Sequence, residues 1–382
     1  MKICDVVLNS VWHDPRVTKQ IAEYVKYGVS LSCVGMTDKR VDRERISLLP
    51  CPVVLVDRNA VYGGKQRSVI KKIIRELYRI RSVTNAIVAQ KPDLIHANDL
   101  DALIPSYLAS RKLKCRLMFD AHELNAENRY YDKYRLYARV MRNLERYIVK
   151  RCDLMVCVSN AAAEYYVQAY GIPKPMVVTN CILQKDILQE EPEKHPGFEI
   201  LNHGMYRDAR GFELMVDSCE QMKDYPEIIL AARGMGPLEE FLRRGVAQQE
   251  AKNFVFYPAV LPKDMIREAA KSHVGVAITL PVCLNYIMSV SNRLFEYAAA
   301  GLPVILSDIP EHRYLNEKYE IGIVIPENTP EEFARAAAQL YEDKAFYNRC
   351  RENAAKMSRE INWENEFRKL YDAECACVEM KQ

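Results

Sequence analysis

The stretch "SNRLFEYAAAGLPVI", residues 291–305, sets a single carboxylate, Glu296, between an apolar pair and three alanines. Its first ten residues carry a helical pattern that stops at Gly301, and an apolar, strand-like run follows at 302–308. A helix that leads directly into a buried strand is typical of α/β folds. Because a buried carboxylate without a partner is costly, Glu296 either lies on the helix surface or is kept there to hold a ligand.

The start of this helix offers a site for an anion. Ser289 or Ser291 could cap the helix, and Asn292 and Arg293 would then lie in its first turn. A helix start has N–H groups without partners and a positive dipole end, which suits a phosphate. An arginine there is slightly unfavourable unless an anion binds beside it. Glu296, one turn later, could accept hydrogen bonds from two hydroxyl groups, such as those of a ribose.

Apolar runs of strand length alternate with helical patterns along the whole chain. Runs that are apolar throughout and separated by helices predict parallel sheets covered on both faces. Strands are predicted at 3–8, 30–36, 52–56, 93–97, 115–121, 153–159 and 175–180 in the first half and at 198–204, 227–233, 253–259, 274–279 and 302–308 in the second. The predicted fold class is therefore α/β, with two doubly wound sheets.

The length of the chain, 382 residues, is too great for one ordinary core and suits two domains. The polar stretch 188–197, with two prolines and a glycine, is interpreted as the linker between them. The predicted domains are 1–190 and 191–359, followed by a last helix within 360–382. In doubly wound sheets ligands bind beyond the carboxyl ends of the strands, so the cleft between the domains is the expected site.

Seven segments resemble, in chain order, the retaining GT-B glycosyltransferases of family four. The stretch 291–305 resembles the donor-site motif of that family, in which the glutamate holds the ribose of a nucleotide sugar. The other segments are 14–36, 91–103, 118–124, 157–166, 203–219 and 233–242. The resemblance implies a GT-B fold, in which two Rossmann-like domains face each other across a cleft and the last helix crosses back to the N-terminal domain.

The resemblance also implies a donor-binding set in the second domain. Arg210 matches the lysine of the family's phosphate segment, so the pyrophosphate is expected near Arg210, Arg293 and the backbone of 289–292. The complete predicted set is Gly204, Arg210, Gly234, Ser289, Ser291, Asn292, Arg293 and Glu296.

Two positions depart from the family pattern. Met288 stands where a second glutamate is usual, and Met205 stands where an arginine often follows the glycine. Whatever those two residues do with the sugar or phosphate must be done by other groups. Tyr206 and Arg207 are nearby candidates.

His122 follows a predicted strand in "FDAHEL", residues 119–124. An isolated histidine on a loop is more often an ordinary structural residue. The resemblance implies a catalytic position for His122 together with Glu296, because the matching histidine contacts the donor sugar near the reacting carbon. Asp14 and Arg16, just past the first strand, either bind acceptor hydroxyls or phosphate or are only a helix cap and its neighbour.

No metal or cofactor is expected. The sequence "DLD" (99–101) matches the metal-binding pattern of a different glycosyltransferase fold, but here it opens a predicted helix, where acids are favoured. The twelve cysteines show no zinc spacing and are interpreted as the reduced thiols of a cytoplasmic protein. The opening "MKICDVVL" is interpreted as the first strand rather than a signal peptide, and no apolar run is long enough to span a membrane.

Charge is divided unevenly along the chain. Residues 1–195 contain 32 Lys and Arg against 22 Asp and Glu, a net +10, whereas 196–382 contain 22 against 29, a net −7. Two helical patterns, 65–81 and 133–151, each carry seven Lys or Arg beside a stripe of apolar residues. Each stripe either packs on the sheet beneath a solvated charged face or belongs to a face that contacts anionic lipid.

These observations predict an enzyme that moves a sugar from a nucleotide sugar, with a UDP-sugar as the expected donor, to a glycan or lipid-linked acceptor. The resemblance implies retention at the anomeric carbon and a role in surface polysaccharide biosynthesis, in the cytoplasm or on the cytoplasmic membrane face. No nucleic-acid partner is expected. The departures at Met288 and Met205 leave a second interpretation, a GT-B protein without activity that supports another glycosyltransferase.

Overall fold

The computed structural model describes residues 1–9, 11–37, 46–57, 69–129 and 134–380. It divides into two compact units, one formed by Met1–Val178 with Glu366–Gln382 and the other by Thr179–Asn365. Each unit is a Rossmann-like α/β domain built on a parallel sheet, which confirms the predicted fold class.

The sheet of the first unit has seven parallel strands. They are β1 (Lys2–Val6), β2 (Ser30–Thr37), β3 (Val53–Asp57), β4 (Leu94–Asn98), β5 (Arg116–Ala121), β6 (Leu154–Cys157) and β7 (Met176–Val177), in the order β3-β2-β1-β4-β5-β6-β7. Val6 pairs with Val34 on one side and with Ala97 on the other, so β1 is an interior strand. The strand order reverses between β1 and β4, and ligands of such sheets bind at the carboxyl ends beside that reversal.

Helices connect these strands, as the apolar patterns predict. They are α1 (Pro15–Lys26), α2 (Val69–Gln90), α3 (Asp99–Leu113), α4 (Arg135–Val149) and α5 (Asn160–Tyr170). The side chain of Asp14 accepts from the N–H groups of Arg16 and Val17 and so begins α1. Asp99 is the first residue of α3, which agrees with the prediction that the sequence "DLD" (99–101) opens a helix.

The sheet of the second unit has six parallel strands. They are β8 (Phe198–Met205), β9 (Ile228–Met235), β10 (Phe254–Tyr257), β11 (Val274–Ala277), β12 (Val304–Ser307) and β13 (Gly322–Ile325), in the order β10-β9-β8-β11-β12-β13. The reversal lies between β8 and β11, which places the carboxyl end of β8 at the expected ligand edge.

The helices of the second unit surround this sheet. They are α6 (Phe212–Asp217), α7 (Glu239–Gln248), α8 (Met265–Ala269), α9 (Leu284–Met288), α10 (Asn292–Ala299), α11 (Pro310–Tyr319), α12 (Pro330–Glu342) and α13 (Lys344–Glu360), and the last helix of the chain, α14 (Trp363–Glu379), follows them. The sequence patterns missed α9, α11 and β13. Polar residues dominate α11, and β13 has only four residues, so neither carries a long periodic signal.

A hydrophobic core covers one face of the sheet of the second unit. Ile200, Leu230, Val276 and Ile305 come from four neighbouring strands and are each completely buried. Helices α6 and α12 cover them with Met215 and a further group of apolar residues including Phe333. This buried parallel sheet is what holds the ends of β8 and β9 in register.

The boundary between the units differs from the prediction at 190/191. Residues 179–190 group with the second unit, because the chain there is bonded to it. Leu188 donates to the Ala299 carbonyl, and the Gln184 N–H donates to the Glu364 carboxylate at 2.7 Å. The polar stretch 188–197 is therefore attached to the second unit along its length, since His195 also donates to the Lys271 carbonyl.

The last helix, α14, begins in the second unit and ends in the first. Residues from Glu366 onward group with the first unit, in agreement with the predicted crossover of 360–382. Phe367 packs edge-on against Tyr24 of α1 with ring centroids 4.9 Å apart, and Tyr371 lies 4.4 Å from Tyr27. Among the described residues, no helix combines the length and the apolar character needed to cross a membrane.

Candidate functional site

Two glycines bring the carboxyl ends of β8 and β9 close together. Gly204 has φ +121° and Gly234 has φ +151°, and the two residues pair across the strands. A Cβ on Gly234 would lie 1.9 Å from the Gly204 carbonyl oxygen, so only glycine fits there. A Cβ on Gly204 would lie 3.5 Å from Nη1 of Arg210, which means that the space above Gly204 faces this guanidinium.

Arg210 places a positive charge at this edge of the sheet. It is partly exposed, and its guanidinium makes no ion pair or hydrogen bond with any described residue. Burial lowers the pKa of Arg210, and the neighbouring charge of Arg207 lowers it further. Arg207 itself is exposed and donates to the Tyr286 hydroxyl at 2.9 Å. Two neighbouring guanidinium groups that form no ion pair with a described carboxylate favour an anionic ligand.

Arg293 does not share this exposure. Its guanidinium is buried and donates to the side-chain oxygen of Asn202, to Ile278 O at 2.7 Å, to Val276 O and Arg210 O at 3.2 Å each, and to Ser291 Oγ at 3.3 Å. Burial lowers the pKa of Arg293 to about 10. Because its donors point at protein oxygens, the geometry does not favour the predicted contact of Arg293 with phosphate. It instead holds the backbone of Arg210 against the ends of β8 and β11.

The start of α10 is open in the way that the sequence predicts. Ser291 is its first flanking residue, and no side chain accepts from its first N–H groups among the described residues. The hydroxyl of Ser289 donates to the Tyr286 carbonyl at 3.0 Å, and the Ser291 N–H donates to Nε2 of His312 at 3.4 Å. Asn292 is exposed at the first turn. The backbone N–H groups of Asn292 and Arg293 therefore remain available to an anion, whereas that of Leu294 donates to the Ser291 carbonyl.

Glu296 has a partner that the sequence did not reveal. Its Oε2 lies 2.5 Å from Nε2 of His203, on β8, and the side chain is 29% exposed. Burial alone would raise the pKa of Glu296, but the His203 hydrogen bond and the charges of His203, Arg293 and Arg210 prevail and hold it below its ordinary value. The carboxylate is thus charged and fixed on one side, and its other oxygen has no described partner.

The two departures from the family pattern lie at this same edge. Met205 is 55% exposed at the end of β8, and Met288 is the last residue of α9. Tyr206, which follows Met205, is completely buried between Phe212 and Phe256, so it is a packing residue rather than a ligand contact.

In the first unit, His122 lies just beyond β5 among acidic groups. Its ring Nε2 is 3.0 Å from Oδ1 of Asn98, and its backbone N–H donates to Oδ1 of Asp99 at 3.1 Å. The ring also faces the carboxylates of Asp120 at 3.5 Å and Asp14 at 4.0 Å. Burial alone would lower the pKa of His122, but Asp99 and Asp120 outweigh it and raise it above the ordinary value.

Arg16 is a structural partner of Asp120, and this corrects one reading of the prediction. It is buried and bidentate to Asp120, with Nε at 2.9 Å and Nη2 at 3.0 Å, and its Nη1 donates to Val178 O at 2.9 Å. Asp14 is the helix cap, as the other reading has it, and its side chain also accepts from Asn9 at 3.3 Å. The arrangement does not favour Arg16 as a direct contact for an acceptor.

Buried polar residues inside apolar strands were not predicted from the sequence. His96, Asp120 and His203 are each buried in a strand, and Asp5 is buried in β1. A polar residue within an apolar run, such as His96 in "DLIHA" (93–97), is the signal in the sequence for such a group, because a buried polar residue needs a partner. The partner itself comes from another element and cannot be read from the run.

Apolar side chains are exposed on two basic helices of the first unit. On α2 the exposed residues are Ile70, Ile73, Ile74, Leu77 and Tyr78, and on α4 they are Leu136, Tyr137, Val140 and Tyr147. Both helices pack against α3. The interpretation in which both stripes pack on the sheet is therefore wrong for the first turns of α2 and α4, although Ile148 is buried. Residues 65–68 and 133 of the predicted segments lie outside the described residues.

No group of three or more His, Cys, Asp or Glu side chains is arranged to hold a metal ion in the part of the chain that the structure describes. The described side chains of the second unit instead offer two arginines, an open helix start and a charged carboxylate. Cations of this kind can neutralise phosphate, and a carboxylate with a free oxygen can accept hydrogen bonds from sugar hydroxyls.

Two family models match the chain. The model of Glycosyltransferase Family 4 matches residues 24–182, and that of Glycosyl transferases group 1 matches residues 184–357. A D-rhamnosyltransferase of Pseudomonas aeruginosa, WbpZ, is 30% identical over 171 residues, which are 44% of this chain and 40% of that protein. The chain therefore matches less than half the length of this curated relative.

Solved structures resemble the whole chain. Anabaena HepE in complex with UDP and glucose has a TM-score of 0.73 at 13% identity and covers 98% of this chain and 100% of its own. A glycosyltransferase from Rickettsia africae ESF-5 has a TM-score of 0.74 at 13% identity and covers 99% of this chain and 98% of its own. At such identities the likeness shows the fold, which is the GT-B arrangement of two Rossmann-like domains.

Proposed function

The chain belongs to the glycosyl transferases group 1 family, and on this premise we propose that it transfers a sugar from a nucleotide-sugar donor to a glycan or lipid-linked acceptor. The observation that carries the proposal is the pairing of Glu296, charged and fixed by His203, with the unpaired guanidinium of Arg210 at one sheet edge. A nucleoside diphosphate presents ribose hydroxyls and a pyrophosphate, which these two groups complement.

The donor roles follow from the contacts of each residue. The free oxygen of Glu296 accepts from the ribose hydroxyls, while Arg210, Arg207 and the start of α10 bind the pyrophosphate. Gly204 leaves room beside Arg210, and Gly234 keeps the two strand ends together. Arg293 acts through Arg210, whose backbone it holds. HepE, which was solved with UDP, supports a UDP-sugar as the first donor to test.

The transfer itself needs charge neutralisation more than a protein nucleophile. The acceptor oxygen bonds to the anomeric carbon, the bond from that carbon to the phosphate oxygen breaks, and the leaving diphosphate keeps the electron pair. The acceptor proton passes to the leaving phosphate, on the face from which the acceptor attacks, so that configuration is retained. Arg210 and the helix start stabilise the charge that develops on the diphosphate. We assign His122 the contact with the donor sugar, and we propose neither a metal nor a cofactor.

A thermal-shift screen tests the proposal. The purified chain is heated with UDP, GDP, dTDP or CDP and with their common sugar forms, and one nucleotide is expected to raise the melting temperature. A ligand at 100 times its Kd stabilises the folded state by about 2.7 kcal/mol. No rise with any nucleotide would contradict the proposed donor site.

The inactive partner is the second candidate, and Met288 and Met205 are the observation that favours it. An inactive partner would bind no donor or would bind one without consuming it. The nucleotide sugar selected by the screen is therefore incubated with the protein and candidate glycan acceptors, and released nucleoside diphosphate is measured. Release that depends on the acceptor supports the enzyme, and binding without release supports the partner.

We further propose that the first unit contacts an anionic membrane surface through α2 and α4. The exposed isoleucines and leucines of these helices lie beside Lys71, Lys72 and Arg139, which gives apolar insertion and attraction to anionic headgroups together. Such a contact suits a lipid-linked acceptor, surface polysaccharide synthesis and a place on the cytoplasmic membrane face. Flotation with phosphatidylglycerol vesicles at low salt should carry the protein upward, and protein left in the bottom fraction would contradict the contact.

A further inference from the structure

Four polar groups form a buried line from the last helix to His122. Nδ1 of His96 lies 3.3 Å from Oε1 of Glu374, and Nε2 of His96 lies 3.3 Å from Oδ2 of Asp120. The same Asp120 oxygen lies 3.5 Å from Nε2 of His122. Glu374, His96 and Asp120 are completely buried, and all four groups belong to the first unit. The sugar-transfer proposal assigns no role to His96 or Glu374.

Hydrogen-bond donors decide the protonation of His96. The Tyr24 hydroxyl lies 2.6 Å from Oε1 of Glu374 and 2.9 Å from Nδ1 of His96. The hydroxyl has one hydrogen, and it donates that hydrogen to Oε1 of Glu374. Nδ1 must then carry a hydrogen to bond the Tyr24 oxygen. Nε2 faces the Asp120 carboxylate and must carry one as well, so His96 is an imidazolium.

We propose that Glu374 is a positioning residue for the site around His122. It keeps His96 doubly protonated through Tyr24, and His96 shares the Asp120 carboxylate with Arg16, His122 and Gln20, whose Nε2 donates to Oδ2 of Asp120 at 3.0 Å. The last helix thereby sets how much of the Asp120 charge His122 feels. The proposal deepens the proposed function, on which it rests for the use of His122 in sugar transfer.

The charges around His96 explain why Glu374 matters. His96 is faced by Asp5 from β1, Tyr24 from α1, Asp120 from β5 and Glu374 from α14, with Arg16 on the far side of Asp120. Burial alone would lower the pKa of His96, but the hydrogen bonds to Asp120 and Glu374 prevail and raise it to about 10. Without the Glu374 charge, burial would favour the neutral ring.

His122 would respond in a definite direction. It is faced by Asp99 from α3, Asp120 from β5, Asp14 from the start of α1 and Arg16 from α1. A charged His96 neutralises part of Asp120, so loss of that charge leaves Asp120 more negative towards His122. The titration midpoint of His122 therefore rises when the Glu374 charge is removed.

One feature argues against a purely structural role for Glu374. Its Oε2 is buried and has no hydrogen-bond partner among the described residues, and Oδ2 of Asp5 is buried in the same state. A buried carboxylate oxygen without a partner is destabilising. A polar residue kept at such a cost is expected to serve the electrostatics of a site rather than the packing of a helix.

Histidine NMR titration of the full chain tests the proposal without any substrate. The protein is labelled with ¹⁵N-histidine, and His96 and His122 are assigned with His96→Gln and His122→Gln. In the wild type both ring nitrogens of His96 should remain protonated from pH 6 to pH 8. In Glu374→Gln, His96 should lose a proton in that range, and the His122 midpoint should rise by about 0.5 to 1 pH unit.

Two further variants separate charge from packing. Glu374→Asp keeps the charge and should return the His122 midpoint towards the wild-type value. Leu370→Val changes an equally buried residue of α14 without a charge and should leave the midpoint unchanged. A neutral His96 in the wild type would overturn the proposal, and this holds even if Glu374→Gln does not fold. An unchanged His122 midpoint in folded Glu374→Gln would overturn it as well.

The outcomes for Glu374 and for the donor site are independent. The titration uses no nucleotide, so a negative result for Glu374 does not contradict the donor proposal. Conversely, if no nucleotide binds in the thermal-shift screen, the protonation of His96 can still be measured directly. If transfer is measured, Glu374→Gln should shift the pH profile of kcat upward. A structural defect alone would lower kcat at every pH without moving the profile.

Discussion

Two arginines of the second unit, 83 residues apart in the chain, have opposite environments in this molecule. Arg293 directs its guanidinium at protein oxygens and is buried, whereas Arg210 has no described partner and faces the space above Gly204. A buried cation without an acceptor would be very unstable, so the donors of Arg293 are committed to the fold. Arg210 is the guanidinium left for a ligand.

The Arg210→Ala variant is therefore expected to lose affinity for the nucleoside diphosphate. Removing a charge-assisted hydrogen bond costs about 1.5–3 kcal/mol, which is about 10-fold or more in Kd. Arg243→Ala is the matched control, because Arg243 is an exposed arginine of the same unit that pairs with Glu239. Titration calorimetry measures both, and an Arg210→Ala affinity within twofold of the wild type would remove Arg210 from the site.

The sequence predicted the residues whose roles depend on local pattern. Glu296, Arg210 and the start of α10 are predicted site features because a helix start and a family-like motif mark them. The partners that fix them were missed, since His203 and Asp120 meet their partners across 93 and 104 residues of chain. The structural roles of Arg16 and Arg293 were not predicted for the same reason. Only the folded arrangement shows which oxygens accept hydrogen bonds from each guanidinium.

At the scale of elements, the paired ends of β8 and β9 shape the donor edge. Because Gly234 has no side chain, its backbone lies closer to the Gly204 carbonyl than that of any other residue could. This contact fixes where Gly204 and Arg210 lie. Strand positions were predicted to within a few residues, since buried parallel strands are apolar runs. Short or polar elements such as α11 and β13 were not, because four residues or a charged helix give too little periodicity.

The Gly234→Ala variant is expected to destabilise the second unit. The new Cβ would overlap the Gly204 carbonyl, and the strain plus overpacking should cost about 3 kcal/mol or more. Gly28→Ala is the control, because Gly28 also has a positive φ but no atom within 4 Å of the added Cβ. It should lose only about 1–2 kcal/mol. Equal losses in denaturant unfolding would show that the close approach does not matter.

The apolar stripe of α2 makes a prediction of its own. Ile73 and Leu77 are 54% and 62% exposed, so the double change to serine should alter the free energy of unfolding by no more than about 0.5 kcal/mol per site. The same change should abolish vesicle flotation. Phe241 and Leu261, exposed in the second unit, provide the matched double variant, which should float like the wild type. Equal flotation of both variants would contradict a contact through α2.

At the scale of the whole molecule, both units repeat one plan and differ in what their sheet ends carry. The second unit presents cations and an open helix start, while the first presents a carboxylate cluster around two histidines. The net charge of +10 of residues 1–195 therefore does not come from this cluster. The basic helices α2 and α4 carry part of it. Net charge along the sequence predicted neither arrangement, because it does not report which charges are buried.

The buried His96 makes the stability of the first unit depend on pH. Its pKa is raised from 6.5 to about 10, so its stabilising contribution is complete below pH 6.5 and is lost as the pH rises towards 10. The loss is at most about 1.4 kcal/mol per pH unit. In His96→Gln the difference in stability from the wild type should shrink from pH 6 to pH 10. Hydrogen exchange in β4 and β5 measures this locally, and a constant difference would contradict it.

The measurement that tests the central claim most directly is a calorimetric titration of the Glu296→Ala variant. The nucleoside diphosphate selected by the thermal screen is titrated into the wild type, into Glu296→Ala and into Glu317→Ala, whose exposed glutamate lies on α11 of the same unit. We predict that the wild type and Glu317→Ala bind equally and that Glu296→Ala binds about 10-fold more weakly or worse. Equal affinity in all three proteins would contradict the assignment of Glu296 to the nucleotide and with it the proposed donor site.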